Sequence, residues 1–288
     1  MTETVLPLAQ KAAQVFAERG FDNARLEAEL LLAHVLQIKR LDLYLQFERP
    51  LNSHELETFR GVVRRRLKHE PLQYIVGTAA FRNLELSVDR RVLIPRPETE
   101  VLAGCAISWA RSGGGAATAL DIGTGSGAIA LSLLQENAVA RAIATDVSED
   151  ALSVARANAE RHELLGRVEF RTGSVWRPVG EMETFDIVIS NPPYIAPEER
   201  ATLQPEVRDW EPDTALFAPA DGMAVIREIV AGAPAHLRTG GLLALEVGAD
   251  QAQIVAVEID SGKFEDVQVI RDLAGRDRVV TAVRKAEA

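Results

Sequence analysis

Cysteine is nearly missing from this sequence. Cys105 stands alone among 288 residues, which excludes an internal disulfide and leaves no cysteine set for zinc. Histidine is scarce too, with five in all, and His34, His54 and His69 lack metal-ligand spacing, so no metal is expected. No apolar run approaches the ~20 residues that a membrane span requires. Met1-Thr2-Glu3 opens without a basic, apolar signal region, so the chain reads as cytoplasmic, with no membrane partner. Positive charge is also in short supply. Lys and Arg number 32 against 42 Asp and Glu, a net charge of −10 that argues against a broad nucleic-acid surface.

What is present is an ordinary globular composition, 47% hydrophobic and 26% charged, with charge unevenly spread. Residues 1–75 hold 11 Lys/Arg against 10 Asp/Glu, leaving a net −11 for the remaining 213. The basic excess gathers in Arg60, Arg64, Arg65, Arg66 and Lys68. A solvated helix face explains such a cluster, and a contact with an RNA- or phosphate-bearing partner is the alternative.

The first quarter reads as helices. Leu8, Ala12, Val15 and Phe16 form a stripe closed at Gly20. Asp22 is placed to cap a second helix, with Leu26, Leu30, Ala33 and Gln37 on one face. Asn52 and Glu55 form a capping-box pattern ahead of Leu56, Phe59, Val63 and Leu67, and Pro71 ends that helix. A small helical bundle over residues 1–71 follows, built for docking or positioning a substrate. Residues 72–94 switch to a period of two at Leu84, Leu86 and Val88, a β-hairpin linker with Gln73–Val76 or Thr78–Phe81 as partner. Pro97 then opens a helix, and Ser112-Gly113-Gly114-Gly115 is a flexible link.

The remainder, 95–288, alternates strands with helices in an α/β, doubly wound pattern. Seven strands are expected, at 119–122, 142–145, 168–171, 185–190, 242–247, 264–270 and 278–283, in a mostly parallel sheet. No helix-sized gap separates the final two, so the last strand should run antiparallel. Asp121-Ile122-Gly123-Thr124-Gly125-Ser126-Gly127 joins the first of these strands to a helix, where glycines let backbone amides approach a ligand. Asp146 ends the second strand, where a carboxylate can accept both hydroxyls of a ribose. This pair also satisfies a dinucleotide fingerprint, which leaves a dehydrogenase open.

The fourth strand, Phe185–Ser190, stops at Asn191-Pro192-Pro193-Tyr194, because two prolines forbid both strand and helix. Strand carboxyl ends are where open α/β sheets place their ligands. The side-chain oxygen of Asn191 and the carbonyl of Pro192 can each accept one hydrogen of a planar NH2 group, with Tyr194 against its plane. An amine socket beside an adenosine site has a use in methyl transfer and none evident in hydride transfer.

The glycine-rich turn, Asp146 and Asn191-Pro192-Pro193-Tyr194 together resemble a class I methyltransferase acting on a planar nitrogen. Glu70-Pro71-Leu72-Gln73-Tyr74-Ile75-Val76-Gly77, Phe81 and Val92-Leu93-Ile94-Pro95-Arg96-Pro97-Glu98-Thr99-Glu100 narrow this. They resemble the peptide chain release factor glutamine methyltransferase family, whose members carry a helical amino-terminal domain. The resemblance runs on through Glu211-Pro212 and Asp221-Gly222. It implies methyl transfer from S-adenosyl-L-methionine, leaving S-adenosyl-L-homocysteine, to N5 of the glutamine in the Gly-Gly-Gln loop of class 1 release factors. By the same resemblance, Gly123, Thr124, Gly125, Ser126 and Gly127 wrap the methionine end, Asp146 binds ribose, and Trp176 borders the cofactor. Asn191, shared between cofactor and substrate, joins Pro192, Pro193 and Tyr194 in holding the glutamine, and Asn191, Pro192 and Tyr194 carry catalysis. Val175 stands where such enzymes often place an acidic residue near the adenine amine, and Arg82-Asn83 replaces an aromatic-Gly pair.

Two rivals share the socket: a glutamine methyltransferase for a ribosomal protein, and a nucleic-acid methyltransferase acting on adenine N6 or guanine N2. A non-catalytic binding module is the reading from another class, and the intact turn, acid and socket argue against it. The segment Pro197–Pro219, rich in charge and proline, reads as a long loop that closes over the substrate peptide or as a plain surface loop, and solvent-exposed Trp210 and Phe217 would favour the first as a binding lip.

Overall fold

A computed structural model describes residues 3–113, 117–219, 221–259 and 262–286. In chain order, five helices come first: α1 (Val5–Glu18), α2 (Ala24–Leu36), α3 (Asp42–Leu45), α4 (Ser53–Arg66) and α5 (Leu72–Val76). The hairpin β1 (Thr78–Phe81) and β2 (Leu84–Ser87) leads to α6 (Pro97–Ser112). Then follow β3 (Ala117–Ile122), α7 (Ala128–Gln135), β4 (Val139–Asp146), α8 (Glu149–Arg161), β5 (Val168–Thr172) and β6 (Phe185–Ser190). After the short helices α9 (Pro205–Trp210) and α10 (Asp213–Leu216) the chain closes with α11 (Ala224–His236), β7 (Leu237–Glu246), α12 (Ala252–Ile259), β8 (Phe264–Arg271) and β9 (Asp277–Arg284).

These elements form two compact units. The first is Met1–Gly77 with Gln204–Trp210, and the second is Thr78–Leu203 with Glu211–Ala288. The break therefore falls later than residue 71, because α5 packs on α2 and α4, and β1 pairs with β2 rather than with Gln73–Val76, which is helical.

In the first unit, the Asn52 side chain accepts from the Glu55 amide while Glu55 reaches back to Asn52, the capping box read in the sequence. The second helix differs from its expected form. It starts at Ala24 after Asn23, no side chain caps it, and its buried face is Ala28, Glu29, Leu31, Leu32 and Ala33, leaving Leu26 exposed. The rotation has a cause: Glu29 is drawn into the core by Arg25, Arg40 and the Tyr44 hydroxyl. A polar anchor overrides the apolar period.

The basic cluster is a solvated face at Arg60, Arg64, Arg65 and Lys68, and only Arg66 departs from it. Arg64 pairs with Glu57, Arg65 with Glu70, and Arg66 is buried between Glu27 and Glu206, at 2.6 Å from each. The Arg66 guanidinium also lies 4.4 Å from the Phe21 ring centroid. Removing one member of a buried charge network leaves its partners uncompensated, at about 3–5 kcal/mol. Arg66→Ala should therefore destabilise the protein by about 3 kcal/mol in a chemical denaturation series.

In the second unit, seven strands lie in the order β5-β4-β3-β6-β7-β9-β8. All neighbours are parallel except at β9, which runs antiparallel between β7 and β8. The strand side chains alternate faces, as the pleat requires. Ala119, Ile187, Ile189, Leu242 and Ala244 pack with α6 and α7, while Leu120, Ile122, Val188, Leu243 and Leu245 pack with α11 and α12. No helix among the described residues is long and apolar enough to cross a membrane. The glycine link at 112–115 lies partly outside the described residues.

Candidate active site

Parallel pairing of β3 with β4 and β6 brings three loop starts to one sheet edge: Gly123, Asp146–Val147 and Asn191. The amides of Gly123 and Thr124 both donate to the Thr145 carbonyl at 2.9 Å, and Ser190 Oγ donates to the Ile122 carbonyl at 2.6 Å. These bonds fix the turn and the end of β6 to each other. Above them opens a cavity of about 290 Å³ lined by Gly123, Gly125, Asp146, Ser190, Asn191, Pro192 and Pro193. Gly123 and Gly125 hold φ of +75° and +56°, a region in which a side chain is strained.

Asp146 is the polar centre of the wall. One carboxylate oxygen accepts from the Gly125 amide and the other from Ser148, each at 2.9 Å. Each oxygen keeps lone-pair capacity for a further donor. Burial pushes its pKa above the usual carboxylate value, and the two amides oppose that shift.

The turn's other members face inward and do not line the cavity. Thr124 Oγ1 donates to Asp121 at 2.7 Å, the Ser126 carbonyl accepts from Asn158 at 2.9 Å, and Gly127 leaves room for Leu131. These contacts hold the shape of the turn. Asp121 is fully buried, one of its oxygens has no partner, and burial pushes its pKa to about 7.

Trp176 is likewise displaced from its expected place. Its ring stacks on His236 at 4.8 Å, its Nε1 donates to the Glu228 carbonyl at 2.9 Å, and the adjacent Val175 lines the cavity instead. A Cβ at Gly232 would lie 2.2 Å from Trp176 Nε1, so α11 carries a glycine where the indole seats. Val175 holds φ of 44°, which for a β-branched residue is strained by about 1–3 kcal/mol.

Asn191 donates from Nδ2 to Thr99 Oγ1 at 3.0 Å, and Thr99 donates to Glu246 Oε2 at 2.6 Å. Among the described residues, no group donates to Asn191 Oδ1. Tyr194 does not line the cavity. Its hydroxyl is 3.5 Å from Glu246 Oε1, its carbonyl accepts from Gln251 Nε2 at 2.9 Å, and its burial beside Glu246 raises its pKa to about 12. Glu246 is buried, and its pKa is pushed up to about 7, with Thr99 and Arg278 opposing.

The segment after Tyr194 is not a structureless loop. It contains a 3-10 turn at Pro197–Thr202 as well as α9 and α10. Ile195 exchanges backbone bonds with Leu216 and Ala218, and Arg96 pairs with the buried Glu211 at 2.6 Å. Trp210 and Phe217 are half-buried rather than an exposed lip, and Phe217 lines the cavity. Sequence reasoning named Val175 and Phe217 for other reasons and missed Val147 and Ala215 as apolar walls. Val147 carried a signal, an apolar residue directly after the strand-ending acid.

The comparisons with known proteins agree with this architecture. Residues 8–77 match the family model described as PrmC N-terminal domain, and residues 111–205 match Methyltransferase small domain. A release factor glutamine methyltransferase of Chlorobaculum tepidum is 45% identical, over 96% of this chain and 95% of that protein. Another, from Geobacter sulfurreducens, is 44% identical over 92% and 91%. The chain belongs to the release factor glutamine methyltransferase family. A solved methyltransferase from Pyrococcus furiosus shares the fold with a TM-score of 0.54 at 20% identity, covering 72% of this chain and 92% of that one. For a release factor glutamine methyltransferase, the class I fold implies use of S-adenosylmethionine.

Two buried acids with raised pKa values have a thermodynamic consequence. Asp121 and Glu246 bind their protons more tightly folded than unfolded, so their contribution to stability is greatest below the ordinary carboxyl range. It is lost as pH rises from about 4 to about 7 and is constant above. Glu246→Gln should flatten part of that decline, read as Tm against pH.

Proposed function

We propose that this protein transfers a methyl group from S-adenosyl-L-methionine to the side-chain amide nitrogen of the glutamine in the Gly-Gly-Gln loop of a class 1 release factor. The observation that carries this reading is that Asp146, the glycine turn and Asn191 share one cavity. The residues present fit the cofactor. Asp146 would take the ribose hydroxyls, the open backbone at Gly123 and Gly125 would lie along the methionine part, and Val147 and Val175 are apolar surfaces suited to a base. When bound, the cofactor supplies a methyl group already made electrophilic by its sulfonium.

An amide nitrogen is a poor nucleophile because its lone pair is shared with its carbonyl. Asn191 Oδ1 and the Pro192 carbonyl would each accept one of its hydrogens, holding the nitrogen in line. Both acceptors strengthen their grip as that nitrogen becomes positive, so they favour the transition state over the bound substrate. The methylated nitrogen is strongly acidic and loses its proton to water, which leaves no task for a side-chain base. Arg91 is the one basic side chain on the cavity wall among the described residues, and it is paired with Asp89. That scarcity of positive charge favours a protein substrate over a polyanion.

The test is fragmentation mass analysis of a release factor incubated with enzyme and S-adenosylmethionine. One added methyl on the loop glutamine is expected, and none when that glutamine is replaced by alanine. A methyl on another residue would overturn the assignment.

A further inference from the structure

Asn191 has two faces of opposite polarity, an oxygen and an NH2, and only one orientation can grip an amine. The structure supplies a reason for that orientation. Thr99 sits in the first turn of α6, and Glu246 ends β7 beside β6, so Thr99 bridges Glu246 to the residue that follows Ser190. A carboxylate at Glu246 is acceptor only, so the Thr99 hydroxyl, 2.6 Å away, must give it its hydrogen. The Thr99 oxygen is then left to accept, and only the NH2 of Asn191 can serve it. Thr99 is buried at 4% exposure and Glu246 at 1%, so water does not substitute for either partner.

We infer that Thr99 and Glu246 are positioning residues that set the polarity of the Asn191 carboxamide, holding its oxygen available to the substrate's NH2. This deepens the methyl-transfer reading and rests on it for its kinetic consequence, though not for its structural one. With Glu246 protonated, the carboxyl donates to Thr99, whose hydrogen is released toward Asn191. The amide then turns over, its own NH2 meets the NH2 of the substrate, and neither has an acceptor to offer. The one bond formed is the O–H of the Glu246 carboxyl, its proton taken up from solvent, and it breaks when that proton is returned.

Every charged group around Glu246 bears on where it occurs. Arg278 on β9 favours the carboxylate, Glu98 beside Thr99 on α6 disfavours it, and the Tyr194 hydroxyl after β6 donates weakly to it. Arg278 also lies 6.0 Å from the Tyr194 ring centroid, with a buried Nε that has no hydrogen-bond partner. The positive end of α6 adds to the stabilisation of the ionised form.

Three variants separate orientation from mere packing: Glu246→Gln, Thr99→Val and Thr99→Ser. Thr99→Val should lower kcat by roughly 30- to 100-fold, the scale of losing one oriented contact, with release-factor KM and S-adenosylmethionine Kd little changed, whereas Glu246→Gln keeps an acceptor for Thr99 and removes only the titration. Thr99→Ser keeps the hydroxyl and should restore kcat. In the full-length wild type, kcat should rise with pH through a midpoint near 7, and Glu246→Gln should abolish that limb. Independently of activity, the side-chain NH2 resonances of Asn191, identified by their loss in Asn191→Ala, should titrate with the same midpoint in wild type and not in Glu246→Gln. Titrating NH2 resonances alongside a wild type that methylates no release factor would sink the functional reading and leave this one standing. A Thr99→Val enzyme with wild-type kcat, or a Glu246→Gln enzyme with an unaltered acid limb or unaltered NH2 titration, would overturn it. So would Thr99→Ser failing to recover what Thr99→Val loses.

Discussion

Asn191→Ala should bind S-adenosylmethionine almost as well as the parent and turn over at least ~100-fold more slowly, a loss of about 3 kcal/mol in transition-state stabilisation. The asymmetry follows from where Asn191 lies. On the proposed reading ribose is held by Asp146 and the glycine turn, which are joined directly through the Gly125 amide. What Asn191 contributes is an oxygen whose attraction grows with charge on the reacting nitrogen, so its loss falls on kcat. Calorimetry with S-adenosylmethionine and single-turnover kinetics with a release factor check the two halves separately. Loss of cofactor affinity equal to the loss of rate would instead make Asn191 a wall of the cofactor pocket. Asn191→Asp is the finer probe: it keeps an acceptor but sets a second carboxylate close to Glu246, so one of the two must hold a proton.

Gly222→Ala is expected to be nearly as damaging from outside the cavity. A Cβ at this position would lie 2.3 Å from the Tyr194 carbonyl oxygen and 2.9 Å from Gln251 Nε2, and Gly222 holds φ of +79°. Overpacking costs about 1–3 kcal/mol and the left-handed backbone about 1–2 kcal/mol more. The backbone of Tyr194 must move, breaking its 2.9 Å bond from Gln251 and carrying Pro192 and Asn191 with it. A misplacement near 1 Å in a reacting geometry can cost on the order of a hundredfold in rate. The expected signature is a lowered Tm together with a lowered kcat, measured by thermal unfolding and by methyl transfer at a temperature where the variant is folded. A variant as stable and as fast as its parent would show that this glycine is not needed for the socket.

Much of the second unit was legible because its strands are continuous apolar runs that end in glycine, proline or a carboxylate. Phe185–Ser190 followed by Asn191-Pro192 left the chain nowhere to continue, so the socket's place at the sheet edge could be read directly. The position of β9 could not. Antiparallel pairing followed from the short gap after β8, but a hairpin leaves open which of its two strands lies against β7. The first unit misled where a polar group decides the burial. Glu29 and Arg66 sit inside the core, and neither shows in a pattern that counts apolar residues. Gly123, Gly125, Asp146 and Asn191, picked out by spacing, line one cavity, but spacing could not tell lining from support. Thr124 and Ser126 are turned inward by bonds to Asp121 and Asn158, residues 3 and 32 positions away. The seat of Trp176 could not be read either, since His236 and Gly232 belong to a helix more than fifty residues on. Thr99 and Glu246, 147 residues apart, meet only in the folded chain.

A crystal structure of the full chain with S-adenosylhomocysteine and a Gly-Gly-Gln peptide tests the central claim most directly. The account predicts the peptide's glutamine amide in the cavity, its nitrogen within hydrogen-bonding distance of both Asn191 Oδ1 and the Pro192 carbonyl and facing the sulfur of the product. A glutamine bound with its amide oxygen toward Asn191, or an amide held by other residues altogether, would contradict it.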